Sequence, residues 1–189
     1  MHMKLKIAVG VTGASGAIYA KALIDKINAH PDLVSRCDIV FSEPAKKVWK
    51  YELNNSDFEN LPNKIWSNDT FFAPFASGSS DFDALIVCPC SMGTMAKIAS
   101  GLASDLISRA ADVMLKERRK LILVTREAPL NIIHINNMKA ITGAGGIIMP
   151  ASPSFYSHPA DLNELIDGVI KKILTIAGLI SFRNNWLSE

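Results

Sequence analysis

The sequence predicts an α/β protein built on an open, mostly parallel sheet with helices on both faces. Short apolar runs rich in Val, Ile and Leu alternate with longer segments whose apolar residues recur at helical spacing. Two of those runs, residues 84–88 and 120–125, are apolar almost throughout, as strands covered on both faces must be. The first run ends in a glycine-rich turn that leads straight into a helical pattern.

Residues 5–12 read as the first strand, and Gly13-Ala14-Ser15-Gly16 as the turn that ends it. Ala17–Asn28 follows as a helix, with Ile18, Ala22, Leu23 and Ile27 on one face. Residues 37–41 form a second strand and residues 44–53 a second helix. Residues 54–80 are polar, irregular and punctuated by Pro62, Pro74 and Gly78; a short strand or two is expected within a long connection of the kind that often carries function. After the strand at 84–88, residues 91–99 and 103–119 are helix candidates, followed by the strand at 120–125. Residues 131–142 read as helix and 146–149 as a short strand. Residues 160–179 make a strongly amphipathic helix, with Leu162, Leu165, Ile166, Val169, Ile170, Ile173 and Leu174 on one broad face.

Composition narrows the function. With 189 residues, one domain is expected. Hydrophobic residues at 49% and charged residues at 20% exclude a disordered chain. Twenty Lys+Arg against 18 Asp+Glu leave +2, which gives no basis for general nucleic-acid binding. Three cysteines, Cys37, Cys88 and Cys90, make no secreted disulfide framework, and no signal peptide or membrane span is legible, so a cytoplasmic protein is expected. The apolar surplus suggests surface covered by other subunits.

In such sheets ligands sit beyond the carboxyl ends of the strands. Gly13-Ala14-Ser15, Ser42, Pro89-Cys90-Ser91, Arg126-Glu127 and residues 150–152 should therefore converge on one crevice. The glycine loop is G-x-x-G-x-x-G, neither the dinucleotide fingerprint nor a P-loop; anion binding at the helix start and a plain tight turn both fit it. Ser91 can cap the next helix, and a capped helix start can also hold an anion. Cys88 and Cys90 read as packing residues. Arg126-Glu127 stands where catalytic groups stand, although a structural ion pair would look the same. Lys116 follows Arg109 at i+7 on one helix face, whereas Arg118 and Arg119 read as a solvated helix end. Tyr156, in the loop 150–159, is a lid or a donor to ligand. His134 and His158 lack partners at metal-ligand spacing, so no metal is expected.

Together, Gly13-Ala14-Ser15-Gly16, Ala76-Ser77-Gly78-Ser79, Cys88-Pro89-Cys90-Ser91-Met92, the segments at 109–113 and 115–119, Arg126-Glu127-Ala128-Pro129 and residues 153–156 resemble the flavin prenyltransferase (UbiX) family. Each motif alone is weak; their order and spacing over nearly the whole chain are specific. The resemblance implies a flavodoxin-like, Rossmann-type three-layer fold and a homododecamer. It implies transfer of a dimethylallyl group from dimethylallyl phosphate to N5 and C6 of reduced FMN, without metal. The prenylated FMN would serve a UbiD-type decarboxylase, in ubiquinone synthesis or on aromatic acids.

Carried over by position, FMN would be held by Gly13, Ala14, Ser15, Ser42, Ser77, Ser91, Met92, Gly93, Thr94 and Arg126. The prenyl phosphate would be held by Arg109, Lys116, Arg126, Tyr156 and Lys172, their cations converging on one phosphate site. Glu127 matches the acid/base residue, Glu52 an active-site carboxylate, and Trp186, in a tail at 180–189, a tryptophan near the active site. Phe75 would join Trp186 as an aromatic wall around the allyl group. Three positions depart from the family's habit. Lys172 stands where Arg is common and lacks its bidentate fork, Glu43 where Lys is frequent, and Asp105 where Asn is common.

Overall fold

A computed structural model describes residues 4–179. Six strands make one sheet: β1 (Leu5–Val11), β2 (Val34–Phe41), β3 (Lys64–Ser67), β4 (Ala84–Cys90), β5 (Lys120–Thr125) and β6 (Ile147–Pro150). Every neighbouring pair is parallel, and the strand order is β3-β2-β1-β4-β5-β6. The order reverses direction between β1 and β4. The connections leaving those two strands therefore part to opposite faces and leave a crevice at the carboxyl edge.

Six helices complete three layers: α1 (Ala17–Asn28), α2 (Glu43–Leu53), α3 (Met92–Ala99), α4 (Leu106–Lys116), α5 (Ile132–Gly143) and α6 (Leu162–Ala177). β1 shows how the layers divide. Its Ile7, Val9 and Val11 pack with α1, α2 and α6 on one face, while Ala8 turns to α3, α4 and α5 on the other. β4 is buried along its whole length, which accounts for its unbroken apolar run.

The boundaries differ from the sequence expectation where polar residues decide them. β2 starts at Val34 because Val34 and the exposed Arg36 pair with Leu5 and Lys6 of β1, the register shifting past Ser35 between them. β4 continues through Pro89 to Cys90, and its register with β5 breaks between Val87 and Cys90. Pro89 has no N–H to give to a ladder, which hid the extension. α4 is shorter than residues 103–119: Asp105 caps it, Oδ1 accepting from the Ser108 N–H at 2.9 Å while the Ser108 hydroxyl accepts from the Asp105 N–H at 3.1 Å. α6 likewise starts after its cap Asp161 and ends at Gly178, whose φ of 87° suits only glycine well.

Of residues 54–80, Lys64–Ser67 is the edge strand β3, accompanied by 3-10 turns at Asp57–Asn60 and Pro74–Ala76. A buried carboxylate secures that edge. Asp38 on β2, 1% exposed, accepts two bonds from Arg36 and one at 2.8 Å from the Trp66 indole N–H on β3.

Candidate active site

A cleft of about 550 Å³ opens at the carboxyl edge, beside the reversal point. Gly13, Ser42, Pro44, Ser91, Gly93 and Thr94 line it, so the ends of β1, β2 and β4 do converge. Both serines also start helices. Ser42 accepts from the Ala45 N–H at 3.2 Å, and Ser91 accepts from the Thr94 N–H at 3.3 Å. Gly13 must be glycine for reasons of space, since a Cβ there would meet the Pro44 Cβ at 2.5 Å. At the far wall Lys97 pairs with Asp105 at 2.7 Å. Asp105 thus has its own task in this chain, as the cap of α4 and the partner of Lys97.

The glycine loop resolves in an unexpected way. Gly16 takes φ 116° and leaves α1 without a side-chain cap of its own. Glu52, from the last turn of α2, fills that position. Its carboxylate accepts from the Gly16 N–H at 2.9 Å and the Ala17 N–H at 2.7 Å. The positive end of α1 therefore already holds an anion, one belonging to the chain itself. A ligand phosphate is left the Ser42 and Ser91–Thr94 end of the cleft, where the α3 N-terminus points.

Arg126, directly after β5, donates from Nε to the Ser15 carbonyl at 3.0 Å and brings its charge to Glu52. Partial burial pushes the Glu52 carboxyl up, but bonds from the Ser15 hydroxyl and the Gly16 and Ala17 N–H groups, together with Arg126, outweigh it. The net pKa lies below the ordinary 4.5. A carboxyl depressed on folding contributes stability that is present above its unfolded pKa and lost as pH falls through the folded value. Glu52→Gln is therefore expected to lower unfolding stability by at most about 1 kcal/mol at neutral pH, solvent screening this exposed position, the difference from the parent shrinking as the pH falls below 4.5 in denaturant titrations.

Glu127 stands exposed beside Arg126, one oxygen accepting from the Ala128 N–H at 3.1 Å. Met92, the first residue of α3, packs its side chain into the core and is not among the residues lining the cleft. Cys88 and Cys90 are fully buried, and burial raises both thiols, Cys90 to about 12; they are packing residues. Among the described residues, no group of three or more His, Cys, Asp and Glu is placed to hold a metal ion.

Arg109, Lys116, Tyr156 and Lys172 are not among the residues that line this cleft. α4 begins at the carboxyl edge, where the Leu106 N–H meets the Asn68 carbonyl at 2.8 Å, and runs antiparallel to the strands. Ten residues on, Lys116 lies about 15 Å away toward the amino edge. It pairs with Glu117 at 3.1 Å and abuts Gly78. Arg109 donates to the Ala76 carbonyl at 3.1 Å and pairs with Asp112 at 2.8 Å. Ser77, bonded to Ser79 at 2.9 Å, belongs to this second group. Lys172 is exposed on α6, ten residues beyond its start, and Tyr156 is exposed in the loop after β6. The groups expected on one phosphate site thus stand on α4, on α6 and in the loop after β6.

Two further expectations are corrected. Phe75 is not an aromatic wall: it is fully buried, edge-on to Trp66 and Phe82 at 6.4 and 5.3 Å. Arg119 is not part of a solvated helix end, because it donates to the Gly78 carbonyl at 2.9 Å and ties the serine loop to the end of α4. Its neighbour Arg118 is exposed, as expected. Trp186 and the tail at 180–189 lie outside the described residues.

A three-layer parallel sheet with a hydroxyl- and glycine-lined cleft at its reversal point is the architecture of a nucleotide-binding flavoprotein. The family model described as Flavoprotein matches residues 1–176. A flavin prenyltransferase UbiX of Methanocaldococcus jannaschii is 43% identical over 177 residues, covering 93% of this chain and 94% of that one. Among solved structures, AnUbiX (PadA1) in complex with FMN and dimethylallyl pyrophosphate is 39% identical, with a TM-score of 0.87, over 96% of this chain and 98% of that one. A dodecameric FMN-dependent Ubix-like decarboxylase from Escherichia coli O157:H7 is 38% identical, with a TM-score of 0.89, over 94% of this chain and 96% of that one. The chain belongs to the UbiX flavin prenyltransferase family.

Proposed function

We propose that this protein is a flavin prenyltransferase that joins the dimethylallyl group of dimethylallyl phosphate to reduced FMN. The observation that carries the reading is the cleft at the carboxyl edge, with hydroxyls and a helix start at one end and the Ser15–Glu52–Arg126 cluster near the other side of Gly13. Reduced FMN supplies two nucleophilic positions, N5 and C6. The protein supplies the rest. Ser42, Ser91, Gly93 and Thr94 hold the FMN phosphate on the α3 start. Gly13, Ala14 and Ser15 flank the flavin, and Arg126, anchored on the Ser15 carbonyl, sets the charge beside it. When the N5 bond forms, the C–O bond to phosphate breaks and the N5 proton passes to the departing phosphate; when the C6 bond closes, the prenyl double bond gains one proton and Glu127 accepts the one that C6 loses.

A phosphate monoester leaves only when its charge is neutralised. Arg109, Lys116, Lys172 and the Tyr156 hydroxyl perform that task with Arg126. Since none of them lines the cleft of its own chain, neighbouring copies deliver them, and the working form is a homo-oligomer, a dodecamer in our reading. The surface supports this. Ile132, Ile133 and Ile135 at the start of α5 are 67%, 64% and 49% exposed, a cluster of large apolar side chains that a second copy would cover. Ile133→Asp is expected to shift the protein to smaller species in light scattering after size exclusion. FMN binding should persist, and prenyl transfer should fall at least about tenfold, because the cations no longer meet the flavin.

The prenylated flavin goes to a UbiD-type decarboxylase. The competing reading is an FMN-dependent decarboxylase, the description carried by the E. coli relative. Anaerobic incubation with reduced FMN and either dimethylallyl phosphate or the pyrophosphate, followed by mass spectrometry of the released flavin, separates the two. The transferase adds one C5H8 unit and works faster with the monophosphate. A flavin of unchanged mass, with carbon dioxide released from an aromatic acid, would overturn the reading.

A further inference from the structure

Two connections form the walls of the cleft, and one buried hydroxyl ties them together. β1 and β4 pair in register only as far as Gly10 and Val87. Beyond that point the turn at 13–16 departs to one face and α3 to the other, so no sheet ladder sets their spacing. Thr12 lies in this gap and is 2% exposed. Its hydroxyl donates to the Pro89 carbonyl at 2.7 Å and accepts from the Ser91 N–H at 2.8 Å. Its own N–H reaches the Pro89 carbonyl at 3.2 Å. Pro89 has no N–H with which to form a return bond.

The Thr12 hydroxyl uses its donor and one acceptor site on backbone groups of the facing connection. What it holds is specific. Ser91 is the cap of α3, its Oγ accepting from the Thr94 N–H at 3.3 Å and meeting the Thr94 hydroxyl at 3.1 Å. Fixing the Ser91 N–H therefore fixes the first turn of α3, which lines the cleft. Valine would match threonine in shape and leave the Ser91 N–H without this partner. Packing alone therefore does not account for the choice of residue.

We propose that Thr12 is a positioning residue for flavin binding. Through Ser91 it holds the start of α3 at a set distance from the turn at 13–16, so that the two walls of the cleft meet the flavin together. Thr12 touches no ligand itself. The inference rests on the flavin reading above and concerns a residue outside the set carried over from the family.

The test compares Thr12→Val and Thr12→Ser in the full chain, by fluorescence titration with FMN and by anaerobic prenyl-transfer kinetics. Thr12→Val is expected to raise the FMN Kd and KM about tenfold, while kcat at saturating FMN stays within about threefold. Thr12→Ser keeps the hydroxyl and loses the methyl, and its FMN Kd should remain within about threefold of the parent. Should the valine variant not fold, Thr12→Cys replaces it: a side chain the size of serine with a poor donor, expected to weaken FMN binding relative to Thr12→Ser. Equal FMN affinity in the parent and the valine variant would overturn the proposal. So would a serine variant as weak as the valine one, which would assign the role to the methyl group. If the parent itself binds no FMN, the flavin reading fails, which is a distinct result.

Discussion

Glu127→Gln is expected to bind FMN as tightly as the parent and to form prenylated flavin at least about a hundredfold more slowly. Glu127 follows the end of β5 by two residues, at the carboxyl edge of the sheet. It is exposed, and its recorded hydrogen bond runs within its own turn, one oxygen accepting from the Ala128 N–H. Its side chain therefore does little to hold the fold, and the amide should leave stability within about 0.5 kcal/mol. Glutamine keeps the shape and removes the proton-accepting oxygen. The flavin should then remain largely substrate; an adduct joined only at N5 shares the product's mass and is told from it by its absorption spectrum. Undiminished product formation would remove Glu127 from the reaction.

Lys116→Met should abolish prenyl transfer to a comparable degree, about a hundredfold, by a different route. Lys116 lies at the end of α4 beside Glu117 and Gly78, about 15 Å along the helix from the cleft of its own chain. Were the site contained in one chain, its loss would be a surface substitution of small effect. In the proposed assembled site it would remove one of the cations that neutralise the leaving phosphate. The expected signature is a raised KM for the prenyl donor together with a lower kcat, and an unaltered FMN Kd. A variant with parental donor kinetics would show that the second group of cations belongs elsewhere.

Much of this fold was legible because its strands are buried on both faces. Residues 84–88 and 120–125 read as central strands, and the glycine turn after β1 marked the edge where the cleft opens. The cleft was legible where residues follow strands directly: Ser42 and Ser91 follow β2 and β4 and line it, and Arg126 follows β5. Other contacts depend on tertiary geometry. Nothing in the spacing reveals that Glu52 reaches back across 36 residues to the α1 N-terminus and takes the position a phosphate was expected to fill. Nor does it reveal that Arg119 donates to Gly78, or that Lys97 joins the cleft through Asp105. The pair Asp105 and Ser108 was a readable capping signal, and it would have set the start of α4 three residues later. The helical i+7 relation of Arg109 and Lys116 gave a shared face, but not that both lie against residues 76–78 and outside the cleft's lining.

That separation leads to the measurement that tests the account most directly. Glu127→Gln disables the flavin half of a site and Lys116→Met the cation half. Unfolded together, refolded at equal concentration and assayed anaerobically by flavin mass spectrometry, the two variants form mixed oligomers. Some sites then take Glu127 from one copy and Lys116 from another. Random pairing of two chains per site predicts recovery to about a quarter of parental activity from two nearly inactive proteins. Mixed oligomers that stay as inactive as either variant alone would contradict a site shared between copies.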